Sequence, residues 1–419
     1  MNVLLLGSGG REHALADQID RSPLLTKLFA APGNPGIADL AECVALDIND
    51  HDAVIGFAKD HGINLVVIGP EAPLVAGLAD DLDAAGIPVF GPSAAAAQLE
   101  GSKDFARAFC RRHHIPQPNF ASFDQPEAAL AHLNTHYPDG YVVIKADGLA
   151  AGKGVVVAEN TDEATAAITM MLEDNRFGDA GARVVIEDRI SGTEASLFAM
   201  VDGRDAIMIG SAQDHKRAFD GDQGPNTGGM GAVSPAPALS DDLCQQAWDE
   251  IVLPVIRGMA DEGMPYRGFL YAGLMLTTTG PQVIEFNCRF GDPEAQTILP
   301  RLKSDLLSAM LTATQGGLAH ADLRFHDGAA VTVVMVNDGY PGDYTKGEVI
   351  DGLDGELPNT MTFHAGTSLK DGKITATGGR VLAITGMGAD QAAARQAAYD
   401  RVEQINWPNA FWRRDIAKS

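Results

Sequence analysis

Residues 281–294 read PQVIEFNCRFGDPE, and this stretch decides the fold more than any other. Apolar Ile284 and Phe286 alternate with Glu285 and Asn287, so the two oxygen-bearing side chains leave one face of a predicted strand. A carboxylate beside an amide carbonyl suits Mg²⁺, a hard cation that keeps waters and shares phosphate oxygens with a substrate. A buried strand followed by a salt-bridged loop would explain the same residues. Taken alone, the stretch leaves both interpretations open.

The composition excludes several classes of protein. Hydrophobic residues make up 45% of the 419 residues, and no apolar run approaches the about 20 residues needed to cross a bilayer. The formal charge of -25 argues against DNA or RNA as a partner, because phosphate backbones need a basic face. Four scattered cysteines without metal spacing, and a start that lacks a basic leader, favour a reduced, cytoplasmic protein.

The chain is too long for one ordinary core, and its pattern changes along its length. Apolar strands at 3–6, 65–68 and 88–92 alternate with helical stretches such as 11–19, which predicts a parallel α/β sheet in the first unit. From Tyr141 the strands follow one another with short gaps, which predicts a mixed α+β core. Within this core we predict strands at 141–145, 154–158, 183–190, 196–201, 206–209, 269–276 and 283–287, and helices at 162–174 and 241–262. A third region beyond residue 326 is predicted to contain a strand at 330–336 and a closing helix at 389–405.

The first glycine turn is a candidate anion site. Gly9 and Gly10 precede the first predicted helix, where backbone N–H groups and the positive helix end favour a phosphate. The full G-x-G-x-x-G spacing is missing and no ribose-binding acid follows, so a dinucleotide is disfavoured. A smaller phosphorylated ligand and a turn without any ligand both stay open.

A second glycine loop follows the strand that ends at Lys145. The loop 147–154 has small residues, three glycines and Lys153, and it lacks the spacing of a Walker A loop. We expect Lys145 and Lys153 to contact phosphate oxygens.

Two further segments carry polar groups. The predicted strand at 184–188 offers backbone groups to an adenine edge, and Glu194 offers a carboxylate to ribose hydroxyls, although exposed acids on a turn would look the same. The polar passage around 213–231 has the length of a binding loop, and its Asp214 and Lys216 are candidate substrate contacts.

The order of these elements resembles the ATP-grasp superfamily, in which two α+β subdomains clamp ATP. The flanking motifs resemble one family within it, the phosphoribosylamine–glycine ligases, also called glycinamide ribonucleotide synthetases. The resemblance spans the chain through GSGGREHA (7–14), APGNPG (31–36), GPEAPLVAG (69–77), LEGSKDFAR (99–107), IKADGLAAGKGV (144–155), AQDHKR (212–217), GPNTGGMGA (224–232), GFLYAGLM (268–275), VIEFNCRFGDPE (283–294), GYPGDY (339–344) and FHAGT (363–367).

The resemblance implies that ATP, glycine and 5-phosphoribosylamine give glycinamide ribonucleotide, ADP and phosphate through glycyl phosphate, a step of purine biosynthesis. It implies nucleotide contacts from Lys103, Lys145, Gly152, Lys153, Gly154, Glu187 and Glu194. It implies that Glu285 and Asn287 hold Mg²⁺ or Mn²⁺, and that Arg289, Asp214 and Lys216 act on the reacting groups. The sugar substrate is assigned to Gly9, Gly10, Pro70, Glu71, Gly291 and Asp292.

The resemblance also implies a domain order. We expect an N-terminal α/β domain at 1–103, a small ATP-grasp subdomain with its linker at 104–190, a large subdomain at 191–325 and a small C-terminal α+β domain at 326–419. We expect a monomer or weak homodimer with small-molecule substrates and neither a nucleic acid nor a membrane partner. Gly273 departs from the superfamily, since many ATP-grasp enzymes have a metal-binding glutamate there, so the source of a further metal ligand is open.

Two alternative functions would explain part of the same sequence pattern. Another ATP-grasp ligase or a bicarbonate-using carboxylase would share the clamp and lack GSGGREHA and GPEAPLVAG. A nucleotide-sensing protein would bind ATP without turnover, and ADP release with and without glycine separates it from an enzyme. In the third region, GYPGDY and FHAGT are predicted to brace the sheet at most positions.

We expect Lys153→Ala to raise the KM for ATP and lower kcat, because it removes a charge that faces phosphate oxygens. Steady-state kinetics with varied ATP measure both constants. If the KM for ATP and kcat were unchanged in this variant, the glycine loop would have a structural role without phosphate contact.

Overall fold

The first hundred residues form a parallel sheet. The computed structural model describes residues 1–149, 154–172, 182–355 and 357–418. The strands of this sheet are β1 (Asn2–Gly7), β2 (Lys27–Pro32), β3 (Glu42–Cys43), β4 (Leu65–Ile68) and β5 (Val89–Phe90). The helices are α1 (Gly10–Asp20), α2 (His51–Asp60), α3 (Glu71–Val75), α4 (Leu78–Ala84), α5 (Ala94–Gly101) and α6 (Lys103–Arg112), with a 3₁₀ turn at Ile37–Asp39. The strand order β3-β2-β1-β4-β5 with parallel neighbours confirms the predicted α/β unit.

The central strand of this sheet is apolar on both faces. Val3 and Leu5 pack into one hydrophobic core, whereas Leu4 and Leu6 pack into another, and all four are fully buried. Parallel strands covered on both sides carry such continuous apolar runs instead of an alternating pattern. The loops at the carboxyl end of β1 are thereby held in a fixed place.

A small antiparallel sheet follows. Its strands are β6 (Phe120–Phe123), β7 (Val142–Ala146), β8 (Val155–Ala158) and β9 (Val184–Asp188), in the order β6-β9-β7-β8. The helices α7 (Pro126–His136) and α8 (Thr161–Leu172) complete a separate hydrophobic core with it. Along β7, Val142, Ile144 and Ala146 face that core, as the alternation predicts.

The remaining strands build a larger antiparallel sheet and two short ribbons. They are β10 (Thr193–Asp202), β11 (Ala206–Asp214), β12 (Arg217–Phe219), β13 (Gln223–Asn226), β14 (Gly231–Ser234), β15 (Arg267–Thr277), β16 (Gly280–Asn287), β17 (Ala329–Asn337), β18 (Glu348–Val349), β19 (Thr360–His364), β20 (Thr367–Lys370), β21 (Lys373–Ala376), β22 (Arg380–Gly388) and β23 (Ala410–Phe411). The helices are α9 (Asp241–Ala247), α10 (Leu253–Asp261), α11 (Glu294–Ile298), α12 (Leu306–Thr314) and α13 (Gln391–Val402), with 3₁₀ turns at Leu299–Arg301 and Leu318–His320.

The large sheet runs in the order β16-β15-β10-β11-β14-β17-β22-β19, with β23 paired to β17. Strands of the third region thus extend the sheet that carries residues 280–287, and the domain bound predicted at residue 326 falls within one continuous sheet. Among the described residues, no helix has the length and apolar character that a membrane crossing requires.

The helix predicted at 241–262 is interrupted. A π-helical turn at Trp248–Val252 separates α9 from α10. Pro254 lies at the start of α10 and has no N–H for the regular bond to the carbonyl four residues earlier. The periodicity of the sequence therefore predicted the extent of the helical segment but not the π-helical turn within it.

Three family motifs meet where the first domain contacts the third region. The backbone N–H of His364 in FHAGT donates to Nδ1 of His13, 2.8 Å away. Asn34 of APGNPG donates to the carbonyl oxygens of Ser8 and His364, both at 2.9 Å. Burial, reinforced by His364, lowers the pKa of His13 to about 3, and burial lowers the pKa of His364 to about 4. Both imidazoles are neutral at this junction at pH 7.

These two histidines predict acid sensitivity. Each depressed pKa favours the neutral folded form, so the stability it contributes is present above the unfolded value of 6.5 and is lost as pH falls toward 4. The loss is at most about 1.4 kcal/mol per pH unit for each histidine. We expect His13→Gln to flatten this dependence in urea denaturation between pH 7 and 5. His326→Gln, an exposed control, should keep the wild-type dependence; an unflattened His13→Gln profile would contradict the assignment.

Candidate active site

The strand β16 presents Glu285 and Asn287 as its sequence predicts. It pairs with β15 so that Gly273 faces Glu285 and Tyr271 faces Asn287. A Cβ atom placed on Gly273 would lie 2.9 Å from Cγ of Glu285. The side chain of Glu285 therefore occupies the space of any larger residue at 273, which explains the glycine at this departure from the superfamily.

Lysines from three elements surround Glu285. Nζ of Lys216 lies 3.6 Å from Oε1 of Glu285 and 2.7 Å from Oε2 of Glu194. Burial opposes ionisation, but Lys216, Lys145 and Lys103 hold the pKa of Glu285 below its ordinary value. The Glu285 side chain is still 42% exposed, so it can be reached from solvent. An ionised carboxylate among lysines can share a divalent cation with phosphate oxygens.

Lys145 belongs to a buried ion cluster. Its Nζ lies 2.9 Å from Oε2 of Glu187 and donates to the Ile284 carbonyl oxygen at 2.9 Å. Arg107 donates to both Glu187 oxygens, at 2.7 and 2.9 Å, and to the carbonyl oxygens of Val283 and Ile284, at 2.9 and 2.6 Å. Since Glu187 is 2% exposed and bound on both oxygens, its carboxylate is committed within the protein. A nucleotide contact predicted at Glu187 is thus restricted to its backbone.

The base of the glycine loop is tied to the start of α6. Nζ of Lys103 donates to the Gly148 carbonyl oxygen at 2.8 Å, and Oγ of Ser102 donates to Asp147 at 3.0 Å. These bonds connect the loop to the helix that also carries Arg107, so the loop is anchored at the edge of the lysine cluster.

The far end of the same loop closes back on β7. Gly154 is buried, and its carbonyl oxygen accepts a hydrogen bond from Ala146 at 2.8 Å. Gly152 and Lys153, which the sequence assigns to phosphate contact, lie outside the described residues.

The N-terminus of α1 holds carboxylates where the sequence predicts a phosphate. The N–H of Gly9 donates to Oε2 of Glu12 at 2.7 Å, and Asp292 accepts from the backbone N–H of Arg11. Asp292 also lies 3.4 Å from where a Cβ on Gly9 would stand. Burial opposes its charge, but Arg380 and Arg11 keep the pKa of Asp292 below its ordinary value. Two ionisable acids at this end disfavour a phosphate at Gly9 and Gly10.

Arg289 connects the turn after β16 to the first domain. Its Nε lies 3.2 Å from Oε2 of Glu71, which follows Pro70 at the start of α3, and its Nη2 lies 2.8 Å from Oε1 of Glu100. Burial opposes the charge of Arg289, but Glu100 and Glu71 keep its pKa above the ordinary value. The structure therefore gives this predicted catalytic group two protein carboxylates as partners.

Two acids flank the lysine cluster. Burial raises the pKa of Asp214, at the end of β11, although Lys216 opposes the shift. Burial, reinforced by Asp214, raises the pKa of Glu294 to about 8. A Cβ atom on Gly291 would lie 2.3 Å from Oε2 of Glu294, so only glycine fits there without a shift of that side chain. Glu294 is thus a proton-carrying group near neutral pH.

Sequence reasoning missed several of these residues. Glu100 and Arg107 lie within LEGSKDFAR, so the motif was the signal that could have found them. Glu294 lies in the turn that the opening stretch contains. Arg380, which contacts Asp292 from the third region, is outside every motif that carried the resemblance.

The two-subdomain core and its lysine-lined acid–amide pair define an ATP-grasp protein. A family profile described as the ATP-grasp (A) domain of phosphoribosylglycinamide synthetase matches residues 101–295. Profiles for the N and C domains of the same synthetase match residues 1–100 and 330–419. The chain belongs to the phosphoribosylglycinamide synthetase family, which confirms the predicted resemblance.

Proteins with similar sequences and structures support this family assignment. The phosphoribosylamine–glycine ligase of Mesorhizobium japonicum is 54% identical over 99% of this chain and 97% of its own length, and that of Pseudomonas aeruginosa is 51% identical with the same coverage. The crystal structure of the Thermotoga maritima phosphoribosylamine–glycine ligase has a TM-score of 0.86 at 32% identity, covering 99% of this chain and all (100%) of that one. A biotin carboxylase from Campylobacter jejuni shares the fold, with a TM-score of 0.77 at 14% identity over 98% of this chain and 92% of that one.

We expect Arg107→Met to lower the free energy of unfolding by about 3–5 kcal/mol, because it removes a buried partner of Glu187. Chemical denaturation measures the change. The double variant Arg107→Met/Glu187→Met should be no more stable than the single variant, because the buried Lys145 then loses its carboxylate partner. A single variant within about 1 kcal/mol of wild type, or a double variant clearly more stable than the single, would contradict the role of this cluster.

Proposed function

We propose that the chain joins glycine to 5-phosphoribosylamine with ATP hydrolysis, giving glycinamide ribonucleotide, ADP and phosphate. The observation that carries the proposal is the convergence of Lys103, Lys145 and Lys216 on Glu285, beside Asn287 on the same strand. Phosphoryl transfer asks a protein chiefly for positioning and charge neutralisation, and this cluster supplies both.

The nucleotide and metal assignments follow from the same cluster. Glu285 and Asn287 are proposed to hold Mg²⁺ or Mn²⁺, which would neutralise negative charge on phosphate oxygens when bound. Nucleotide oxygens are proposed to meet Lys103, Lys145 and Lys153, with Gly152 and Gly154 in the covering loop, the Glu187 backbone at the adenine edge and Glu194 at the ribose hydroxyls. Lys216 bridges Glu194 and Glu285, so it connects the ribose end of this set to the metal end.

The glycine carboxylate must become a better electrophile before an amine can attack it. We propose that ATP phosphorylates it, that the sugar amine then attacks the acyl phosphate carbon, and that phosphate leaves. The attacking amine loses a proton, which the ionised form of Asp214 or Glu294, both beside Lys216, would accept. Arg289, held by Glu71 and Glu100, positions the turn on which the two substrates meet.

The sugar is proposed to lie between the first domain and the turn after β16. The Asp292 carboxylate at the α1 end suits ribose hydroxyls and the amine better than a phosphate, so Gly9, Gly10, Gly291 and Asp292 are assigned to that part of the substrate. Pro70 and Glu71 border the same place through the Arg289 contact.

We also propose four domains, at 1–103, 104–190, 191–325 and 326–419. We further propose that the protein is a monomer or a weak homodimer. A carboxylase is the second candidate, because biotin carboxylases share the fold. At 14% identity that likeness concerns the fold alone, whereas the ligases match the full chain at about half identity. Glycine-dependent ADP release therefore decides between the two.

We expect Glu285→Ala to fold and to lose glycine-dependent ADP release by about a hundredfold or more, since a divalent cation contributes several kcal/mol to such transfers. A coupled ADP assay with glycine and freshly generated phosphoribosylamine measures it. Glu159→Ala, at a side chain that is 71% exposed, is the matched control and should keep wild-type turnover. Wild-type turnover of Glu285→Ala at ordinary Mg²⁺ would remove the metal assignment.

A further inference from the structure

Arg380 reaches from β22 toward the turn after β16 and uses one nitrogen for its contacts there. Its Nη1 donates to the carbonyl oxygens of Gly228 and Asp292, the latter at 2.7 Å, and lies 3.3 Å from Oδ1 of Asp292. Within the described ranges, Nε and Nη2 of Arg380 make no hydrogen bond to the protein. The side chain is 23% exposed, and neither nitrogen belongs to the buried side-chain nitrogens that lack a hydrogen bond, so the Nε–Nη2 edge is open to solvent.

That edge matters because Nε and Nη2 form the planar fork that binds two oxygens of a phosphate at once. The two other arginines at this turn use one or both nitrogens of that fork within the protein. Arg289 has Glu71 at Nε and Glu100 at Nη2, and Arg11 has Glu12 at Nε, 2.6 Å away. Of the arginines that contact residues 289–294 in the described part of the chain, Arg380 has the open edge.

The surroundings of Arg380 are built from backbone and from family motifs. The N–H of Gly228, in GPNTGGMGA, donates to the hydroxyl oxygen of Tyr340, in GYPGDY, at 3.0 Å. A Cβ atom on the neighbouring Gly379 would lie 2.3 Å from the Tyr340 ring, so that ring packs directly on the backbone beside Arg380. Asp292, bound to Arg380, also closes the N-terminus of α1 next to Gly9.

We propose that Arg380 binds the phosphomonoester of the sugar-amine substrate through its Nε–Nη2 edge. This inference rests on the proposed function. It places the substrate phosphate at Arg380, because the carboxylates of Glu12 and Asp292 disfavour a phosphate at the N-terminus of α1. Asp292 then meets the hydroxyl side of the sugar while Arg380 meets its phosphate. The third region thereby contributes a specificity-determining contact and does more than brace the sheet.

The test compares two amines that differ in the phosphate alone. Wild type and Arg380→Gln are assayed for glycine-dependent ADP release with 5-phosphoribosylamine and with ribosylamine. We expect kcat/KM for the phosphorylated amine to fall about 10- to 100-fold in the variant, the range of a hydrogen-bonded charged contact. The KM for ATP and the kcat/KM for ribosylamine should stay at their wild-type values, since neither involves the sugar phosphate.

Two controls keep the result interpretable. Arg324→Gln removes an exposed arginine paired with Asp322, and it should match wild type with both amines. Arg380→Lys keeps the charge without the fork and should recover part of the loss. If Arg380→Gln fails to fold, Arg380→Lys takes its place, and calorimetric binding of ribose 5-phosphate should be weaker in it than in wild type.

The outcomes separate the two proposals. An equal loss of kcat/KM with both amines, or unchanged ribose 5-phosphate binding in the variant, would overturn the phosphate assignment and leave the ligase reaction standing. Failure of the wild-type protein to release ADP with glycine and either amine would overturn the proposed function itself.

Discussion

The site depends on a buried ion cluster that joins three parts of the chain. Arg107 from α6 and Lys145 from β7 both bind Glu187 from β9, and both donate to backbone carbonyls of residues 283 and 284 in β16. Buried charges of this kind are costly unless every partner is present, so the cluster fixes the small sheet against β16. This fixed position of the small sheet relative to β16 places Lys145 and Lys103 near Glu285, and the candidate chemistry depends on that placement.

Residues 281–294 serve two neighbouring regions. The strand half presents Glu285 and Asn287 to the lysines, and the turn half carries Arg289 and Asp292 to the first domain and the third region. One short segment thus borders both the place proposed for the triphosphate and the place proposed for the sugar. A rigid strand followed by a densely bonded turn keeps the two places at a constant separation, as the in-line approach of reacting groups requires.

Local patterns predicted most of the secondary structure and the acid–amide pair. Alternation along 283–287 placed Glu285 and Asn287 on one face, and the uninterrupted apolar run at 3–6 predicted a buried parallel strand. Partners distant in sequence were not predictable. Arg289 binds Glu100, which is 189 residues away in sequence, and Arg107 binds the carbonyl of Ile284, which is 177 residues away. Neither local charge nor periodicity predicts such distant pairs. For the same reason the sequence did not show that Arg107 and Lys145 occupy the Glu187 carboxylate, or that Glu12 and Asp292 lie at the α1 end.

The central claim is that the lysine and acid–amide cluster directs ATP to the carboxylate of glycine. Glycine labelled with ¹⁸O in its carboxyl group tests this directly, because an acyl phosphate passes one carboxyl oxygen to the phosphate that leaves. After a single turnover with unlabelled ATP and the sugar amine, mass spectrometry should find one ¹⁸O atom in each released phosphate. Phosphate without label, formed together with the amide product, would contradict the account.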